Sequence, residues 1–148
     1  MGCTVKLESM KIAFPKKIGW ILITLLVFWD AFLTYLGGFE GNPLWKPFVQ
    51  SYGINALWVL APVALGIFYL ATKILGWLIK AIDKIPEGEE IVLTGLVLVF
   101  GTYDLYITFF LRSFGWLGAR SHYRIILLLM VPVVLYIIYT EIVRRKKK

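Results

Sequence analysis

Cysteine is almost missing from this chain. Cys3 is alone among 148 residues, which excludes an internal disulfide, a Cys-x-x-Cys redox pair and a thiolate metal cage. Histidine is equally scarce: His122 has no second imidazole to face across a bilayer, so a transmembrane haem lacks its ligands and no cofactor is expected. The sequence has no Gly-x-Ser-x-Gly, no His-Glu-x-x-His, no glycine-rich phosphate loop and no cluster of acids suited to lipid phosphotransfer. An enzyme is therefore not expected, and action on lipids ranks third, behind the two readings given below. The start Met1-Gly2-Cys3 is close to a lipidation signal, but Lys6 stands where myristoylation wants Ser or Thr.

Charge is thin as well. Only 17% of the residues are charged, against 59% hydrophobic and a mean hydropathy of +0.78. A soluble domain of this size needs a far more polar surface, so the composition identifies an integral membrane protein. The net charge of +7 does not point to nucleic acid, because the 16 Lys and Arg gather at the ends of apolar segments and form no stripe with interleaved aromatics. Membrane lipids with anionic headgroups are the expected partners.

Four apolar runs, at about 18–39, 54–79, 91–111 and 125–143, alternate with polar turns. At about 1.5 Å per helical residue the first covers roughly 33 Å, against a hydrocarbon core of about 30 Å. The expected fold is all-α: one transmembrane domain with four membrane-spanning helices. Gly37-Gly38 should end the first helix, and Asn42 followed by Pro43 should cap a short surface helix over about 43–49. Pro62 in the second span and Pro132 in the fourth are expected to kink their helices, each freeing a carbonyl one turn earlier. Lys73 is expected to snorkel, and the polar hairpin 80–90 turns the chain back, with Glu87, Glu89 and Glu90 at a helix start that favours acids.

Two of the spans carry an acid. Phe28-Trp29-Asp30-Ala31-Phe32-Leu33-Thr34 is echoed by Tyr103-Asp104-Leu105-Tyr106-Ile107-Thr108. Gly101, Asp104 and Thr108 share one helix face by their spacing. A carboxyl at membrane depth is costly and marks either a functional site or a polar contact between helices. Pro62-Val63-Ala64-Leu65 likewise parallels Pro132-Val133-Val134-Leu135, so residues 18–80 and 91–143 read as two repeated helical hairpins. The acid motifs are 74 residues apart and the prolines 70, which places all four in one layer roughly 10 to 14 Å inside the membrane. Asp30, Thr34, Asp104 and Thr108, with the two freed carbonyls, form an oxygen-rich setting that suits a proton or a hard cation. The competing reading makes each Asp a protonated or hydrogen-bonded helix contact and bonds each Thr to its own i−4 carbonyl.

The run Trp29-Asp30-Ala31-Phe32-Leu33-Thr34, followed by Gly37-Gly38-Phe39-Glu40-Gly41-Asn42-Pro43-Leu44, resembles a family of small prokaryotic membrane proteins classed as a domain of unknown function. Their shared pattern is Asp-x-x-x-Thr, then Glu-x-Asn-Pro. The resemblance covers about residues 20–80. It implies a four-helix membrane domain with no known activity, and it marks Asp30, Thr34, Glu40, Asn42 and Pro43. The second half keeps Asp104 and Thr108 but has Arg-Ser-Phe-Gly-Trp where a second Glu-x-Asn-Pro would stand.

Two functions follow as expectations. The first is a non-enzymatic membrane protein, oligomeric because four helices make a thin wall for a pore, that binds or moves a proton, cation or small solute through its Asp layer. The second is an accessory or assembly subunit of a larger membrane complex. Of the 16 basic residues, 12 lie on one side, in the N-terminal segment, the hairpin with Lys73 and the C-terminal tail. That asymmetry places both termini in the cytoplasm. In right-side-out vesicles a cysteine introduced within residues 40–53 should react with an impermeant thiol reagent while Cys3 stays protected; labelling of Cys3 would reverse the topology.

Overall fold

The computed structural model describes residues 13–38, 40, 42, 44–111 and 122–146. Among them every regular element is helical: α1 (Lys16–Gly37), α2 (Lys46–Tyr52), a 3-10 turn (Ile54–Ala56), α3 (Leu57–Asp83), α4 (Gly88–Leu105) continued by a π-helical segment (Tyr106–Leu111), and α5 (His122–Lys146). Three segments, Lys16–Gly37, Ile54–Asp83 and Gly88–Phe109, are long and apolar enough to cross a membrane, and Leu128–Val143 within α5 is a shorter apolar helix. Large apolar side chains such as Ile21, Leu25, Val59 and Leu70 are exposed along these helices, as suits lipid-facing surfaces.

The helix ends follow local chemistry. Gly38 closes α1 in the left-handed conformation (φ 66°), and its N–H donates to the carbonyls of Thr34 and Tyr35. At the far end of α3 the left-handed residue is Lys84 (φ 54°), so the helix runs past the expected boundary and the hairpin shrinks to residues 84–87. Glu89 and Glu90 sit in the first turn of α4, where the helix dipole favours them. The surface helix begins at Lys46, three residues later than expected, with Pro47 in its first turn.

α4 is the central helix, packed against α1, α3 and α5. It runs parallel to α1: Lys16 meets Glu89 and Glu90, the backbone at Gly19 lies against Leu93, and Leu26 faces Gly101. Residues about 74 apart therefore meet along this seam. α3 runs antiparallel to both, with Trp20 against Tyr69 and Tyr35 against Trp58 on α1, and Phe68 edge-on to Phe100 on α4. Ile23, Val27, Ala31, Leu57, Ala61, Leu93 and Val97 make the buried core. A strict twofold relating the halves would put α5 against α1 as α3 lies against α4. No comparably extensive α1–α5 contact is present among the described residues.

The closest approach is at the hairpin end. Added at Gly76, a β-carbon would stand 2.9 Å from Glu89 Cα and backbone N; one at Gly88 would run into the Gly76 carbonyl. Small residues at such crossings let backbones meet where lipid offers no hydrophobic drive. Over this crossing Lys73 Nζ reaches both Glu89 carboxylate oxygens at 3.1 Å, and Lys16 Nζ reaches Glu89 Oε2 at 3.1 Å. These ion pairs tie three helices together, but their exposure limits each to at most about 1 kcal/mol. Lys73 thus has a partner, where the sequence suggested only snorkelling.

Gly76→Ala should cost about 1–3 kcal/mol, because its neighbour is backbone and cannot rotate away. Gly66→Ala, with open space around it, should be neutral or gain up to about 1 kcal/mol from helix propensity. Thermal melts in one detergent compare the two, and equal melting temperatures would refute the crossing.

Candidate functional site

The α1–α4 seam changes character along its length. On α4 the positions Glu90, Thr94, Val97, Gly101, Asp104 and Thr108 recur at the spacing of a single helix face. Gly19, Ile23, Val27, Asp30 and Thr34 do the same on α1. The hairpin end of the seam is ion-paired and the middle is apolar, with Ile23 and Leu93 almost wholly buried. Acids and hydroxyls return at the end nearer the α1–α2 loop.

Asp104 is 3% exposed, and neither carboxylate oxygen has a hydrogen-bond partner. The Thr108 hydroxyl, one turn further on, is also buried and unpartnered. Other threonines of α4 behave differently: Thr94 Oγ1 donates to the Glu90 carbonyl and Thr102 Oγ1 to the Leu98 carbonyl, each at 2.7 Å. Thr108 lies in the π-helical segment, where the wider turn displaces the i−4 carbonyl from the place a back-bonding hydroxyl needs. The expected self-bonding of each Thr therefore does not hold at Thr108.

Asp30 is half-buried on α1, at the position 74 residues before Asp104. Its charge reaches Asp104. The charge of Glu40, beyond the end of α1, reaches Asp30, and Tyr103 feels all three acids. Thr34 is half-buried one turn beyond Asp30. No ion pair joins either aspartate to a basic side chain among the described residues. Pro62 lies within α3 and Pro132 within α5, so neither stands in the α1–α4 seam.

The loop beside the site is organised by its polar side chains. Glu40 Oε1 accepts from the Asn42 N–H at 2.6 Å, and Asn42 Oδ1 accepts from the Leu44 N–H at 3.0 Å. The Asn42 carbonyl then accepts from the Trp45 and Lys46 N–H groups. Asn42 caps a turn that leads into α2 and does not start the helix itself. Pro43 lies outside the described residues, as do Cys3, Arg112, Trp116 and Arg120.

Some of the seam escapes a reading of residue types. Thr94 accepts the Phe14 N–H at 2.9 Å and meets the Tyr136 hydroxyl of α5, joining three segments. Its place on the Asp104 face is the one signal the sequence offers. Thr72 on α3 is 2% exposed with an unpartnered hydroxyl, and nothing in the sequence marks it. No group of three His, Cys, Asp or Glu side chains able to hold a metal ion occurs among the described residues. No family model, curated protein or solved structure matches the chain.

An unpartnered buried polar group costs about 1–3 kcal/mol, so the structure charges Asp104 with destabilising the fold. Asp104→Leu should raise stability in detergent by about that amount, and Asp104→Asn, which keeps the shape and polarity, should change it little. A marked loss of stability in both variants would mean that the carboxyl holds helices together.

Proposed function

We propose that this chain is a non-enzymatic, four-span membrane protein that binds and releases a proton or another small monovalent cation at the Asp30–Asp104 layer. The observation that carries the reading is the Asp104 carboxyl, buried in the α1–α4 seam that also carries Asp30, with no hydrogen-bond partner and no ion pair among the described residues. A carboxylate so placed keeps its full desolvation cost until a positive charge joins it. Use of the acid gives that cost a purpose. The unpartnered Thr108 hydroxyl adds an oxygen to the same setting, and the widened π turn lies at the site, as such turns often do where helices serve function.

In this reading the chain comprises two related hairpins, α1 with α3 and α4 with α5, with both termini in the cytoplasm. Support comes from the agreement between the 74-residue spacing of the acid motifs and the separation at which α1 and α4 meet. Four helices enclose too little space for a pore, so movement of the ion across the membrane would involve association of copies.

Infrared difference spectra of the protein in lipid nanodiscs test the proposal. A protonated-carboxyl band should appear and disappear with pH or cation concentration, and Asp30→Asn and Asp104→Asn should each remove part of it while the helical amide signal is unchanged. Folded Asn variants with the wild-type spectrum, or a wild type with no such band, would contradict it.

A further inference from the structure

The hairpin end of the molecule carries more basic side chains than its ion pairs use. Lys16 and Lys73 are occupied there: both hold the Glu89 carboxylate between α1 and α3, and Glu90 lies 3.9 Å from Lys16. Lys17 and Lys80 are exposed, and neither forms an ion pair among the described residues. Asp83, one turn beyond Lys80, is not paired with it. Helical spacing aligns Lys73, Trp77 and Lys80 on one face of α3, and Lys17 with Trp20 on one face of α1.

These two faces meet. Trp20 packs against Tyr69 with ring centroids 5.8 Å apart, and the Lys73 ammonium stands 5.7 Å from the centre of the Tyr69 ring. Lys17 lies one turn before Trp20 and Lys73 one turn after Tyr69, so in this antiparallel pair both lysines fall on the hairpin side of the aromatic contact. Further into the membrane the α3 surface is apolar. Pro62, Val63, Ile67 and Leu70 are exposed, and Gly66, two turns below Lys73, has nothing within 4 Å of the place its β-carbon would take. A glycine there leaves a recess one side chain deep in a face that otherwise meets lipid.

We infer that this α1–α3 face binds one anionic glycerophospholipid, with its phosphate between Lys17 and Lys80, its glycerol over the Trp20–Tyr69 pair and an acyl chain along Gly66 and Pro62. Charge complementarity selects the headgroup. Glu89 is already matched by Lys16 and Lys73, so it opposes a phosphate little, while Lys17 and Lys80 keep charges that an anionic lipid can neutralise. A zwitterionic lipid would bring its own cation beside theirs. The apolar half selects a lipid over a soluble anion, because inorganic phosphate has nothing to lay along Gly66 and Pro62. Aromatic rings at the junction suit the interface, where one end of the site is wet and the other is hydrocarbon.

The test uses the full chain in a nonionic detergent, to which dioleoylphosphatidylglycerol, dioleoylphosphatidylcholine or inorganic phosphate is added. Native mass spectrometry counts the bound lipid and a thermal melt reports its effect. One phosphatidylglycerol should stay on each chain and raise the melting temperature, whereas phosphatidylcholine and phosphate should do neither. In Lys17→Gln/Lys80→Gln the affinity should fall about fivefold for each lysine removed. Its lipid-free melting temperature should match the wild type, since neither lysine is ion-paired. Lys147→Gln/Lys148→Gln removes the same charge elsewhere and should bind like the wild type, and Gly66→Leu, which fills the recess without touching charge, should weaken binding. Equal retention of phosphatidylcholine, a shift produced by phosphate alone, equal losses in the two double variants, or full affinity in Gly66→Leu would each overturn the inference. None of these readouts involves the aspartates, so the cation-binding reading stands or falls separately.

Discussion

In hydrocarbon a helix gains nothing by hiding apolar side chains from its surroundings, so helices meet where small residues admit a backbone or where polar groups need one another. Both conditions hold along α4, and the rest of the chain is placed by them. Gly76 and Gly88 let α3 cross its first turn at backbone contact. Gly19 takes Leu93 against α1, and the Glu89 carboxylate gathers lysines from α1 and α3. With the hairpin end of this arrangement fixed by contact, the α1–α4 register at a separation of about 74 residues is set, and Asp30 and Asp104 come to the same level.

That level is where the structure departs from a rule it otherwise follows. The Thr94 and Thr102 hydroxyls donate, the loop carboxylate of Glu40 accepts a backbone N–H, and both α1 and α3 end on left-handed residues. Against this background Asp104 and Thr108 stand unpaired. Apart from the Thr72 hydroxyl on α3, the unmet hydrogen-bonding capacity of the buried side chains among the described residues is gathered here, beside a π turn. The apolar stretch of Ile23 and Leu93 then separates that place from the ion-paired hairpin end.

Much of this was readable from the residues because the signals are local. An apolar run long enough to cross a bilayer needs no tertiary information, and neither does an acid inside it, a Gly-Gly helix end or a cluster of glutamates at a helix start. The 74 residues between Asp30 and Asp104 can be counted in the sequence, but that α1 and α4 meet at this separation is a packing result. The π segment was hidden because Tyr106–Leu111 has no residue type that demands a wider turn. Lys84 in a left-handed conformation gave no sign, since that place usually falls to glycine. The start of α2 differs from the expected one because Asn42 can cap a turn as readily as a helix, and only the hydrogen bonds from Leu44, Trp45 and Lys46 decide between them.

The central claim is that Asp104 and Asp30 together hold an exchangeable proton. It can be met directly by carbon-13 labelling of aspartate side chains and solid-state NMR in lipid. The chain has only three aspartates, and exposed Asp83 supplies the reference. The carboxyl resonances of Asp30 and Asp104, assigned through their Asn variants, should move together over one pH interval, distinct from that of Asp83. An Asp104 resonance that stays fixed across the whole range, or that titrates without any response at Asp30, would contradict the account.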